Sequence, residues 1–108
     1  MLTGRYREPH VYPPADSRNR FYKFFQEPGF SKAIQVVHVL DEIAAERNVP
    51  LAQIALNWVT QKDFISTGIV GCQTRKNVEQ NVASFDWKLS DSELARLDAV
   101  IDRCIRNA

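Results

Sequence analysis

The residues of this 108-residue chain best suited to chemistry follow a short apolar run near its middle. Gly71, Gln73, Thr74, Asn77, Gln80 and Asn81 surround two cations, Arg75 and Lys76, where the pattern turns helical. The chemistry they suggest is anion binding. First-turn N–H groups have no partner within their own helix, and the helix dipole favours negative charge beside them. Gly71 lets the backbone approach a ligand closely. Thr74, Gln73, Asn77 and Gln80 can donate hydrogen bonds, and Asn81 lies one turn beyond Asn77 on an adjoining part of the same face. Cations at a helix start are mildly unfavourable unless an anion offsets them. The alternative is that Gly71 ends a strand and the polar residues form a solvated face. Neither a Walker A sequence nor G-x-G-x-x-G is present, so pattern alone leaves both readings open.

The whole-chain totals narrow the ligand classes. A length of 108 residues suits one domain, and 44% hydrophobic with 25% charged residues is ordinary globular composition. Fourteen basic against thirteen acidic residues leave a net charge of +1, which gives no support to nucleic acid or an anionic membrane as partner. No apolar run is long enough to span a bilayer, and the N-terminus lacks the apolar core of a signal peptide. Cys72 and Cys104 are isolated thiols without metal-ligand spacing. The expectation is a soluble cytoplasmic chain.

Residues 1–31 read as an irregular segment broken by Pro9, Pro13, Pro14, Pro28 and Gly29, with one short helix over Asn19–Phe25. Ser31 is the expected cap of a helix whose apolar positions run Ala33, Val36, Val37, Leu40, Ile43 and Ala44. Asn48 ends it, and Pro50 opens a second helix carrying Leu51, Ile54, Ala55, Trp58 and Val59. Phe64–Val70 has the β-branched, apolar pattern of a strand. Thr74 should cap a third helix over Arg75–Ala83 with Val78 and Val82 facing inward. The box Ser90-Asp-Ser-Glu93 should start a fourth that buries Leu94, Leu97, Ile101 and Ile105.

This layout raises a physical difficulty. A single strand leaves a row of N–H and C=O groups unsatisfied, and an apolar strand between helices is typical of a parallel sheet covered on its faces. The expectation is therefore the tail of a larger α/β protein, or a chain that borrows strands from a partner.

Three stretches resemble the aldo-keto reductases. Val70-Gly-Cys-Gln-Thr-Arg-Lys-Asn-Val-Glu-Gln-Asn81, with the trailing Leu89-Ser-Asp-Ser-Glu93, is similar to the family's C-terminal end after the eighth barrel strand. Leu51-Ala-Gln-Ile-Ala-Leu-Asn-Trp-Val59 resembles the helix before that strand. Leu2-Thr-Gly-Arg-Tyr6, followed by Asp16-Ser-Arg18 and Phe21, resembles the loop after the seventh. The resemblance implies the C-terminal segment of a (β/α)8 TIM barrel, mostly helical with one clear strand at about 64–70. Residues 1–108 would be a partial domain, with 1–31 a cofactor-covering loop region and 32–108 the last helices and strand. It also implies NADP(H) as cofactor, ahead of NAD. Gly71, Gln73, Thr74, Asn77, Gln80 and Asn81 would hold the adenosine 2′-phosphate and adenine, and Arg5 and Arg18 would reach over the cofactor. Gln73 is neutral where the family often has Arg, Lys or Ser, so the charge would come from Arg75 or Lys76. Asn77 stands for the more usual Gln.

The family's catalytic Tyr, Lys, Asp and His lie upstream of the matched region. Tyr6, Tyr12 and Tyr22 match no catalytic position, and His10 in its Pro-flanked loop and His38 on a helix read as structural or solvated, so no catalytic residue is expected and the chain should not act alone. The partners implied are the nicotinamide cofactor and the rest of the barrel, or a second copy that pairs the strand. The competing reading is a non-enzymatic helical interaction or oligomerisation module. A helix-turn-helix over Ala52–Val59 lacks a basic recognition helix.

Overall fold

The computed structural model describes residues 1–106; Asn107 and Ala108, the end of the expected domain, lie outside the described residues. Four α-helices follow an irregular N-terminal segment: α1, Gly29–Arg47; α2, Leu51–Thr60; α3, Arg75–Ala83; and α4, Asp91–Ile101. Short 3-10 turns occupy Ser17–Asn19, Lys23–Phe25 and Ser84–Asp86, and a π turn, Asp102–Arg106, prolongs α4.

The helices form because each supplies its own hydrogen bonds and shares an apolar stripe with its neighbours. α1 lies against both α2 and α4. Val37, Leu40 and Ile43 of α1 meet Leu51 and Ile54 of α2 and Leu97 and Val100 of α4, with Leu89 and Cys104 closing the core. Asn48 stops α1 in the left-handed conformation at φ 53°, its N–H turned back to the Ala44 and Ala45 carbonyls.

Several expectations shift at the ends of elements. α1 begins before Ser31, whose hydroxyl donates to Glu27 Oε1 at 2.7 Å instead of capping the helix. Phe30 N–H reaches Gln26 O at 2.8 Å, so the turn is already wound when Ser31 is reached. A Cβ at Gly29 would lie 2.3 Å from the Lys23 carbonyl oxygen, which is why the entry to α1 takes a glycine. Pro50 is the N-cap of α2, not its first helical residue, with an extended backbone at ψ 141°. The single helix expected over Asn19–Phe25 is replaced by two separate turns.

The larger correction concerns the strand. Phe64–Val70 forms none, and no strand exists among the described residues. Among the described residues, the one backbone–backbone hydrogen bond donated from this run is Ile65 N–H to Lys62 O, 3.0 Å. Ile69 is 99% exposed and Phe64 81%. A ladder needs a second strand to bond with, and no other segment among the described residues supplies one.

Candidate functional site

α3 opens as its sequence requires. Thr74, in an extended conformation, accepts a hydrogen bond from Asn77 N–H on its Oγ1 at 3.1 Å. No acidic residue lies in the first turn. Gly71, Cys72, Gln73, Thr74, Arg75 and Lys76 are all exposed, while Asn77, Gln80 and Asn81 are half-buried on the helix behind them. A Cβ built at Gly71 would meet nothing within 4 Å. The chain's own packing thus gives no reason for glycine there, whereas a ligand lying against the backbone would. Asn81 Nδ2 donates to Gly71 O and lies within 3.3 Å of Cys72 Sγ, tying the approach loop to the helix. Of these residues Cys72 and Asn81 line a cleft of about 340 Å³, together with Thr60, Thr67 and Val70.

Arg75 behaves differently from expectation. Its Nε bonds Glu79 Oε1 one turn along, at 2.8 Å, with the Arg75 side chain 92% exposed. An exposed i, i+4 pair is weak, so this contact offsets the charge without committing it. Val78 and Val82, expected to face inward, are exposed.

What holds α3 in place is a polar stripe that the apolar pattern did not reveal. Gln53, Asn57 and Gln61 recur every fourth residue along α2 and its end. Gln53 Nε2 donates to Gln80 O at 2.9 Å, and its Oε1 accepts from Trp87 Nε1 at 3.0 Å. Asn57 Nδ2 donates to Ser84 O at 2.8 Å. Gln61 donates to Leu89 O and accepts Leu89 N–H, at 3.1 and 2.8 Å. Gln53 and Asn57 are buried, and every fully buried side-chain N or O among the described residues has a partner. Amides spaced every four residues, within an otherwise apolar helix, were the signal available for this docking stripe.

α4 opens on a complete capping box. Ser90 Oγ accepts Glu93 N–H, and Glu93 Oε1 accepts Ser90 N–H at 2.8 Å. Glu93 also takes two bonds from Arg47, one of them Nε to Oε2 at 2.8 Å, and the Arg47 guanidinium lies 4.8 Å from the Trp87 ring centre. The Arg47 hydrogen bonds, helped by Ser90 and opposed by burial, hold the Glu93 carboxyl down at about 2. Nearby, Asp98 accepts from Lys62 and from Trp58 Nε1, and its carboxyl is likewise lowered. The buried apolar positions of this last helical stretch are Leu97, Val100 and Cys104, with Leu94, Ile101 and Ile105 only half-buried. The apolar stripe is rotated from the one expected.

The two loop arginines stand apart from α3, and no hydrogen bond or ion pair among the described residues joins them to it. Arg5 is exposed, 5.8 Å from the Tyr6 ring centre. Arg18 is half-buried in a cluster built on Tyr6, His10, Tyr12 and Phe25, whose rings meet edge-on or tilted. Its Nη2 bonds Asp16 Oδ2 at 2.5 Å and its Nη1 bonds Tyr6 OH at 2.9 Å. The side-chain hydrogen bond from Arg18 lowers the Asp16 carboxyl to about 2, and the same bond raises Arg18. Arg7, unremarked in the sequence, ties this segment to α1 through a paired contact with Asp41.

Among the described residues no group of His, Cys, Asp and Glu could hold a metal ion, and no helix is long and apolar enough to cross a membrane.

Comparison with known proteins supplies an independent line. The sequence model of the Aldo/keto reductase family matches residues 1–102. Aldo-keto reductase str7 of Strobilurus tenacellus is 32% identical over 95 residues, covering 88% of this chain and 28% of that protein. Aldo-keto reductase yakc of Schizosaccharomyces pombe, which has NADP(+) in its name, is 28% identical over 102 residues, or 94% of this chain and 30% of that one. Chloroplastic pyridoxal reductase of Arabidopsis thaliana is 30% identical over 98 residues, 91% of this chain and 25% of that one. The chain spans under a third of the length of these relatives.

Proposed function

The chain belongs to the aldo/keto reductase family, which implies nicotinamide-dependent oxidoreductase chemistry on a TIM barrel, and from that premise we propose that it carries the adenosine end of an NADP(H) site. The observation that carries this reading is the start of α3: a capped helix with open first-turn N–H groups, no acid to fill them, and a glycine with free space beside it. The residues present fit the group. Thr74, Gln73 and the first-turn N–H groups would hold the 2′-phosphate, with Arg75 and Lys76 adding charge. Gly71, Asn77, Gln80 and Asn81 would frame the adenine, while Arg5 and Arg18 would act from the loop side. When bound, the cofactor supplies hydride for a carbonyl; this chain's residues bind and orient it. NADP(+) in the name of the yakc relative supports the phosphate preference.

Catalysis is assigned to the whole protein and not to these residues, none of which is placed in a catalytic role. The reading is tested by titrating the chain with NADPH and NADH, following tryptophan fluorescence, beside an Arg75→Ala/Lys76→Ala variant. Tighter binding of NADPH, lost in the variant, is expected. Equal affinity for the two cofactors, or unchanged NADPH binding by the variant, would overturn the 2′-phosphate assignment.

A second reading is favoured by one observation: Phe64, Ile69, Val82 and Phe85 leave apolar side chains exposed beside the unpaired run. In that reading the chain is a helical association module whose 64–70 segment pairs with another strand. Sedimentation across a range of concentrations tests it, and a monomer throughout would rule it out.

A further inference from the structure

Arg18 is bonded through all three of its guanidinium nitrogens. Asp16 Oδ1 accepts both Arg18 backbone N–H and Nε–H at 2.9 Å, and Oδ2 accepts Nη2 at 2.5 Å. On the opposite side Nη1 donates to Tyr6 OH at 2.9 Å, and the guanidinium carbon lies 4.1 Å from the ring centre of buried Tyr12. The bond from Arg18 backbone N–H is also the cap of the turn Ser17–Asn19, so Asp16 holds the backbone and the guanidinium together. Of the five guanidinium N–H groups, three are in these bonds and two remain. With Asp16 and Arg18, Ser17, Tyr22 and Phe25 line an open depression. A phosphate arriving there would meet two free N–H groups and, beside them, a full negative charge.

We propose that Asp16 competes with a polyphosphate ligand for Arg18, keeping the arginine charge-compensated until a ligand of sufficient charge displaces the carboxylate. This rests on the assignment of Arg18 to the cofactor, but the competition itself depends only on the local geometry. A singly charged anion gains too little from two N–H groups beside Asp16. A pyrophosphate, which can bridge the fork, replaces the carboxylate bond for bond. Asp16 is therefore a positioning residue that sets a charge threshold, and not itself a ligand contact.

The test uses the full chain, inorganic pyrophosphate, and the Arg18 Nε–H resonance as reporter, with NADPH titrated in parallel. Asp16→Asn keeps an oxygen to cap the turn and removes the charge; Asp16→Ser, which also keeps a capping oxygen, guards against misfolding of the first variant. In both, pyrophosphate should bind about tenfold more tightly, a difference near 1.4 kcal/mol, with a larger shift of Arg18 Nε–H at saturation. The gain should vanish in Asp16→Asn/Arg18→Ala. Equal or weaker binding in the two single variants, absence of binding in all forms, or a gain that survives loss of Arg18 would each overturn the proposal. A pyrophosphate gain without NADPH binding would uphold the competition while defeating the cofactor reading.

Discussion

The N-termini of α3 and α4 are built from the same sequence device and end in opposite electrostatic states. Each has a hydroxyl cap, Thr74 or Ser90, that accepts the N–H three residues on. α4 then answers its own dipole with Asp91 and Glu93, and the Glu93 carboxylate closes the capping box and binds Arg47. α3 has Asn77 at the position of Glu93 and two cations at the positions of Asp91 and Ser92. One helix start is satisfied within the fold and is structural. The other is left short of negative charge, and that deficit is what an anionic ligand would fill.

The comparison can be broken most severely at α4. Glu93→Gln removes a partner of a largely buried pair and weakens the cap, which should lower stability by about 2–3 kcal/mol in urea unfolding. The pH dependence has a definite sign. Glu93 sits at about 2 in the folded chain against an ordinary 4.5. Its contribution is fully present above 4.5 and is lost as pH falls toward 2, so wild type should lose stability across that window more steeply than Glu93→Gln. Parallel curves for the two would remove Glu93 from the account.

At α3 the effects should be smaller and local. Thr74→Ala should weaken that helix by about 1 kcal/mol, seen as faster amide exchange over its first turns while α1 and α4 stay protected. Asn77→Glu gives α3 the capping-box glutamate that α4 has in Glu93. It should stabilise α3 by roughly 0.5–1 kcal/mol and weaken NADPH binding, because the new carboxylate fills the place proposed for the phosphate. If affinity is retained, the helix start is not the anion site. Arg75→Ala should change stability by less than about 0.5 kcal/mol, as an exposed i, i+4 pair allows. A larger loss in thermal unfolding would show that the Glu79 contact matters to the fold.

Much of this contrast was legible from residue order. The bounds of α3, its Thr74 cap and the α4 capping box follow from local rules, because a helix bonds to itself and a cap acts across three residues. The family resemblance rested on the same short motifs. The expected strand failed for the complementary reason: its pattern describes a surface that fits between others, and the described residues contain no other strand. The inward placement of Val78 and Val82 failed with it. Gln53 and Asn57 are not legible in the sequence, because amides in an apolar helix look like its solvated side until folding sets the carbonyls of Gln80 and Ser84 opposite them.

The sequence alone determined where helices start and stop, which residues can cap them, and that α3 begins with cations where α4 begins with acids. These are properties of neighbours in the chain, governed by hydrogen bonds that close within a turn. Only the tertiary structure decided that Glu93 is shared with Arg47, that α3 hangs on the side chains of α2, and that Arg18 is occupied by Asp16. Such partnerships depend on which groups folding brings together and on how much water it leaves between them.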